Sequence, residues 1–320
     1  MGRRGREEES LEIPVDFLGG VLMHLKDRFD AREFAVLVEM EPPKGVDTSS
    51  MVSNATQSKD KVDAFLVPDM NDAVMRMSAL GGAMILHGKG METVMQVSCR
   101  DRNRLALQAD LLAAHACGIT NIMLVKGEDP SFGDHPEAKA VYDLEILDLL
   151  DVTGNLQEGR DMSGMDLSGS PQFLVGSTVN AGANDKALDR ELEEMKKKSD
   201  AGVRFFVTPP LFDLSSIAPF LRHVDRQKTS VVPTVLLLKS VGMARYIDRH
   251  QEYVHVPETV IERIQKATDK GQECIQIAGE MVSTLQNEGF SGVLLSTIGW
   301  EDRVPEILEM ASLGTSPEMA

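Results

Sequence analysis

The sequence predicts an α/β protein of the (β/α)8 TIM barrel class, a single domain with an N-terminal helical extension. Three observations lead there: eight short β-rich runs, helical patterns between them, and runs so continuously apolar that both sheet faces must be covered. The 320 residues are enough for one such barrel with a well-buried core. The expected organisation is an extension over 1–33, the barrel over 34–315 and a short tail over 316–320. An open doubly wound sheet is the competing architecture. No G-x-G-x-x-G follows the first strand run, which weakens that alternative without excluding it.

A helical-looking preface around "LGGVLMHLKDRF" precedes the first strand run, "FAVLVEME" at 34–41. The next runs are "DAFLVPD" (63–69), "TVMQVSC" (93–99), "NIMLVKGE" (121–128) and "QFLVGSTVN" (172–180). The last three are "RFFVTPP" (204–210), "VVPTVLLL" (231–238) and "GVLLSTI" (292–298). Between the third and fourth runs, "NRLALQADLLAAHACG" carries apolar residues at helical spacing and ends on Gly118, a C-cap candidate. "ALDRELEEMKKKSDAG" is acidic early and basic late, as the helix macrodipole favours. In "LSSIAPFLRHVD" the internal Pro219 should kink the helix or delay its start, and "RVPEILEMASL" is a further helix. The stretch 151–171, rich in Gly, Ser and Asp, reads as a long surface loop, and 257–289 as two successive helices.

Composition narrows the function classes. A formal charge of −17, from 50 acidic and 33 basic residues, argues against nucleic acid and against an anionic membrane surface as partners. Cys99, Cys117 and Cys274 are too scattered for a disulfide framework or a zinc knuckle, and no apolar run is long enough to enter a membrane. A protein of the reducing cytoplasm is expected. Neither a G-x-S-x-G nor a Walker A motif is present, and the histidines lack partners at ligand spacing, so metal and acyl-transfer chemistry are disfavoured.

In a barrel, chemistry belongs at the carboxyl ends of the strands. Alternation along the first run sets Phe34, Val36, Val38 and Met40 toward the helices, and Ala35, Leu37, Glu39 and Glu41 toward the barrel axis. Glu39 is the deeper carboxylate, and loss of hydration suits it to act as a general acid; pairing with lysines or capping a loop is the plainer role for both. Asp69, Gln96, Ser98, Lys126, Glu128, Asn180 and Thr208 end other strands, and Gly127 in "KGEDP" would let backbone approach a planar ligand. Arg100, Arg102 and Arg104 in "CRDRNR" fit either an anion site or pairing with Asp101. Lys196, Lys197 and Lys198 read as a solvated cluster closing a helix.

Taken together, "FAVLVEMEPPKG", the block from "CRDRNR" through "SFGDHP" to "VYDL", "GSPQFLVGSTVNAG", "KKKSDAGVRFFVTPPLFD" and "GVLLSTIGWEDRVPEIL" resemble the methylenetetrahydrofolate reductase family, in order from about 34 to about 313. The likeness is to its short, single-domain members of anaerobic one-carbon metabolism. It implies a flavin-containing barrel that reduces 5,10-methylenetetrahydrofolate to 5-methyltetrahydrofolate, with electrons from NAD(P)H or a redox partner protein, and leaves homo- or hetero-oligomer open. The family acid falls on Glu39. Flavin contacts fall on Gln96, Lys126, Gly127, Glu128 and Lys198, with Ala140 and Val141 beside the adenosine part that would make the flavin FAD rather than FMN. The folate side is carried by Glu39, Glu128 and Thr208. This chain departs from the family pattern at Pro209, where the sixth strand usually supplies a glutamine, and in "STVNAGAN", which lacks the usual Tyr and His. Two other readings stay in view: a flavin-free methyltransferase component that binds pterin on the same barrel, and a non-catalytic subunit, which those departures motivate.

Overall fold

The computed structural model describes residues 24–311. Eight strands close on themselves in chain order, each parallel to both neighbours, so the doubly wound alternative is set aside. They are β1 (Ala35–Glu39), β2 (Ala64–Val67), β3 (Thr93–Ser98), β4 (Asn121–Val125), β5 (Leu174–Thr178), β6 (Phe205–Pro210), β7 (Ser230–Leu236) and β8 (Gly292–Ser296). Each overlaps the run expected for it.

One helix, α1 (Leu25–Ala31), precedes β1, and helices follow every strand: α2 (Ser49–Ser58), α3 (Ala79–His87), α4 (Arg104–Ala116), α5 (Ile146–Gln157) and α6 (Asp185–Asp200). The rest are α7 (Ala218–Leu221), α8 (Val241–His250), α9 (Glu258–Lys266), α10 (Lys270–Asn287) and α11 (Val304–Met310). Asn103 caps α4 by accepting from the amides of Leu105 and Ala106, and Gly118 follows at φ +88°. Pro219 sits in the first turn of α7 after a 3-10 turn at Leu214–Ile217, the late start that its fixed φ and missing N–H favour. The stretch 151–171 differs from expectation. Its first seven residues complete α5, started by a capping box of Glu145 and Asp148 and buried through Leu149, Leu150, Val152 and Leu156. Only the part after it is loop, crossed by a single Arg160–Asp166 bridge. Most of the 1–33 extension and the whole 316–320 tail lie outside the described residues.

Two apolar layers result. One packs Val36, Val38, Met40 and their counterparts against the helices; the other fills the barrel with Ala35, Leu37, Leu66, Val94, Met123, Phe205, Val207 and Leu294. The strand parity read from "FAVLVEME" is the parity observed. Leu25 of α1, fully buried, joins the inner layer and closes its amino-terminal end together with Phe29, whose ring lies 5.4 Å from that of Phe205. Phe205 fits because β5 offers Gly176 opposite it: a Cβ there would come within 2.1 Å of the ring. Gly176→Ala is therefore expected to destabilise the barrel by about 1–3 kcal/mol through overpacking, measurable as a lower urea midpoint.

Candidate active site at the carboxyl mouth of the barrel

Glu39 inherits the inward parity of Ala35 and Leu37 and emerges, half-buried, at the mouth. Ser296 Oγ donates to its Oε1 at 2.8 Å from the adjoining β8, and Asn71 Nδ2 donates to its Oε2 at 3.1 Å. Loss of hydration pushes the carboxyl up to about 7; Ser296 and Asn71 work against that rise, and the Glu41 charge adds to it. A carboxyl poised there can hold a proton near neutrality and release it to a basic atom placed beside it. Glu41 is engaged differently, pairing with Arg76 Nη2 at 2.7 Å, so its charge is partly neutralised.

The loop that brings Asn71 is conformationally costly. Met70, Asp72 and Ala73 all have left-handed φ, at 55°, 54° and 54°. For non-glycine residues this costs about 1–3 kcal/mol each, so surrounding contacts must impose it. Arg100 Nη2 donates to the Met70 carbonyl at 3.2 Å. The buried Asp69 side chain accepts from the Ser98 amide and from both terminal nitrogens of Arg102. Gly133 lies so close that a Cβ on it would stand 1.9 Å from the Ala73 carbonyl oxygen, and Asp134 accepts from the Met75 amide while pairing with Lys44.

Arg100 is the centre of this arrangement. Only 1% exposed, it grips Asp101 through Nε and Nη2 and reaches the carbonyl and Oε2 of Glu128 through Nη1, at 3.3 and 3.4 Å. Arg102 is engaged with Asp69 and Asp110, and Arg104 with Asp143. The three guanidiniums thus meet carboxylates of the chain itself: of the two readings of "CRDRNR", internal pairing is the one observed, with Asp101 as the partner of Arg100 and more distant carboxylates for Arg102 and Arg104.

On the β4 side, Gly127 has φ +84°, and a Cβ would fall 2.2 Å from Ser98 Oγ. Its glycine is required by the close approach of β4 to β3. Tyr142 Oη donates to the Gly127 carbonyl, while Lys126 extends over the Tyr142 ring and toward Glu145. The Glu128 side chain is 54% exposed at the rim. Gln96, inward on β3 beside Val94, accepts the Asp69 amide on Oε1 at 2.7 Å; among the described residues its Nε2 meets no acceptor. Lys198 Nζ donates to the carbonyl of Thr178 at the end of β5, and burial lowers its pKa. Thr208 is buried, its hydroxyl donating to the Pro209 carbonyl beside a register irregularity between Val207 and Pro210. Ala140 and Val141 lie in an exposed loop, with the Val141 amide donating to the Arg100 carbonyl.

The structure thus brings Glu39, the Asn71 loop, Arg100, Gln96 and Glu128 into one connected cluster. Lys198 is anchored at the β5 edge. Ser296, Asn71 and Arg100 in its bracing role were not found from sequence; for Ser296 the usable signal was its inward register on a strand next to β1. A cleft of about 690 Å³ lies at the opposite end against Phe29, Leu174, Arg204 and Ser291. Its rim is paired internally, Arg204 with Asp30 and Arg226 with the Glu288 carbonyl, so it forms the underside of the barrel.

Comparison with known proteins adds the decisive observation: residues 24–312 match the family profile described as methylenetetrahydrofolate reductase. The chain belongs to the methylenetetrahydrofolate reductase family. No curated protein matches it in sequence. Among solved structures, this family member is similar to an uncharacterised protein from Clostridium thermocellum that binds two copies of 5-methyl-5,6,7,8-tetrahydrofolic acid, with a TM-score of 0.57, 12% identity, and coverage of 90% of this chain and 96% of that one. It is also similar to EDTA monooxygenase (EmoA) from Chelativorans sp. BNC1, with a TM-score of 0.52, 10% identity, and coverage of 89% and 95%. At such identities these likenesses concern the barrel fold. Among the described residues of this methylenetetrahydrofolate reductase family member, no cluster of His, Cys, Asp and Glu could hold a metal ion, and no helix is long and apolar enough to cross a membrane.

Proposed function

We propose that this protein catalyses the flavin-dependent reduction of 5,10-methylenetetrahydrofolate to 5-methyltetrahydrofolate, with Glu39 as general acid. One observation carries the reading: a family member places a carboxyl with a pKa of about 7 at the barrel mouth, held by two hydrogen-bond donors. The substrate's five-membered ring must open to a cationic iminium before it can be reduced, and opening requires a proton at N10. Glu39 supplies that proton. A flavin held by Gln96, Lys126, Gly127 and Lys198 would supply the hydride.

The lining suits a flat ring with a polar edge. Gln96 offers an amide nitrogen that meets no acceptor among the described residues, Gly127 keeps the β4 end free of side-chain bulk, and Lys126 and Lys198 add positive charge. Glu128 stands at the rim between the flavin and folate sides. Thr208 bounds the folate side through the irregular end of β6 rather than through its hydroxyl. Ala140 and Val141 favour FAD over FMN, and the electrons come from NAD(P)H or from a redox partner protein. Folate binding by the Clostridium thermocellum neighbour supports the substrate class. Pro209 favours a second reading, a non-catalytic subunit that has lost turnover, because proline offers no side-chain amide to a pterin edge.

The visible spectrum of the purified protein decides between them. A flavin band near ~450 nm that bleaches on reduction and returns with methylenetetrahydrofolate is expected; a colourless protein that takes up neither FAD nor FMN would sink the proposal. Lys198→Met should weaken flavin retention about tenfold, or about 1.4 kcal/mol, in a fluorescence titration.

A further inference from the structure

We propose that Asn71 is a positioning residue for Glu39: the strained β2–α3 loop holds its amide on Oε2, where it opposes protonation of that oxygen and leaves the proton to be carried beside Ser296. The assignment rests on reading Glu39 as the acid, and the geometry argues it on three counts.

The two donors to Glu39 are chemically unequal. Asn71 Nδ2, 3.1 Å from Oε2, can only donate, so it favours the charged carboxylate and competes with a proton on Oε2. The Ser296 hydroxyl, 2.8 Å from Oε1, can turn and accept, so it serves the charged and the neutral acid alike. A proton taken up by Glu39 is therefore accommodated more readily on Oε1.

The loop conformation is imposed from outside. Met70, Asp72 and Ala73 bracket Asn71 with left-handed backbone, and the loop is held at three points: Met70 by Arg100, Ala73 by the close approach of Gly133, and the exit by Asp134 on the Met75 amide. These restraints come from the segments that follow β3 and β4, so they couple the carboxyl of β1 to the stretches that carry Arg100 and Glu128. Nothing in the loop's own sequence requires such a conformation, whereas delivery of Asn71 to Oε2 does. The other charges facing Glu39 are Glu41, two residues beyond it past the end of β1, and Asp72 on the loop, both negative, and both oppose ionisation. Asn71 and Ser296 are thus the groups that offset them.

The test is direct titration of Glu39 in the ligand-free chain by carbon NMR of glutamate-carboxyl-labelled protein, with the resonance assigned by its absence in Glu39→Gln. Asn71→Ala should raise the midpoint by about half to one pH unit, the worth of one hydrogen bond to a carboxylate. Ser296→Ala should move it less. Gly133→Ala, whose Cβ would press on the Ala73 carbonyl and displace the loop while retaining Asn71, should move it in the same direction as Asn71→Ala, and it serves if that variant fails to fold. An unchanged midpoint in Asn71→Ala or in Gly133→Ala, with only the melting temperature altered, would reduce the loop to a structural element and overturn the proposal. The titration uses neither flavin nor folate, so failure of the reductase reading leaves its outcome intact.

Discussion

Glu39→Gln is expected to slow reduction of methylenetetrahydrofolate by roughly 1,000-fold in single turnover while leaving the flavin band unchanged. Loss of a positioned general acid costs about 100- to 10,000-fold, and glutamine keeps the shape and hydrogen-bonding capacity of the side chain without its transferable proton. The same substitution should raise stability at alkaline pH. The carboxyl goes from 4.5 in an unfolded reference to about 7 in the fold, chiefly through desolvation. A raised pKa means that the stabilisation attached to the neutral acid is fully present below about 4.5 and is lost as pH rises through about 7. Above that, the ionised Glu39 opposes folding by on the order of 3–4 kcal/mol, since a tenfold change in proton affinity corresponds to about 1.4 kcal/mol. Urea midpoints at pH 8.5 should therefore be higher for Glu39→Gln than for the parent, and the difference should shrink below pH 5. Lower activity together with higher stability distinguishes a group kept for chemistry from one kept for the fold.

Arg100→Leu should have the largest effect on folding. The guanidinium is sealed beneath the mouth and satisfies Asp101, the Met70 carbonyl and the Glu128 backbone and carboxylate at once. Leucine fills some of the volume but leaves those acceptors without a donor, and breaking one side of a buried ionic network costs about 3–5 kcal/mol. The melting temperature should fall, and Arg100→Lys should recover little of it because one ammonium cannot replace a planar fork that reaches several acceptors. Since the same side chain holds the loop carrying Asn71, any folded Arg100→Leu should also show a displaced Glu39 titration.

The barrel was legible because its strands are covered on both faces and so appear as apolar runs separated by helical patterns. The alternation in β1 gave the inward direction of Glu39 before any contact was known. The end of α5 was not legible: Gly154 and Gly159 make 151–171 resemble a loop, while burial of Leu149, Val152 and Leu156 carries the helix through Gly154. The arginines of "CRDRNR" fitted an anion site as well as pairing with Asp101, because the main partners of Arg102 and Arg104, Asp69 and Asp143, lie 33 and 39 residues away along the chain. Long-range pairing of that kind leaves no local pattern. For the same reason the donors on Glu39 were hidden: Asn71 is 32 residues away along the chain and Ser296 is 257. Gly127 showed the converse, a residue correctly marked as special whose reason was the packing of β4 against Ser98.

The pH dependence of single-turnover flavin reoxidation by methylenetetrahydrofolate tests the role of Glu39 most directly. With Glu39 as the proposed acid, the protonated carboxyl would be the active form, so the rate should be level below about 7 and fall about tenfold per pH unit above it, while Glu39→Gln should be slow and flat across the same range. A Glu39→Gln rate that keeps the parent's magnitude and slope, or a Glu41→Gln variant that is the more damaged of the two, would contradict the assignment.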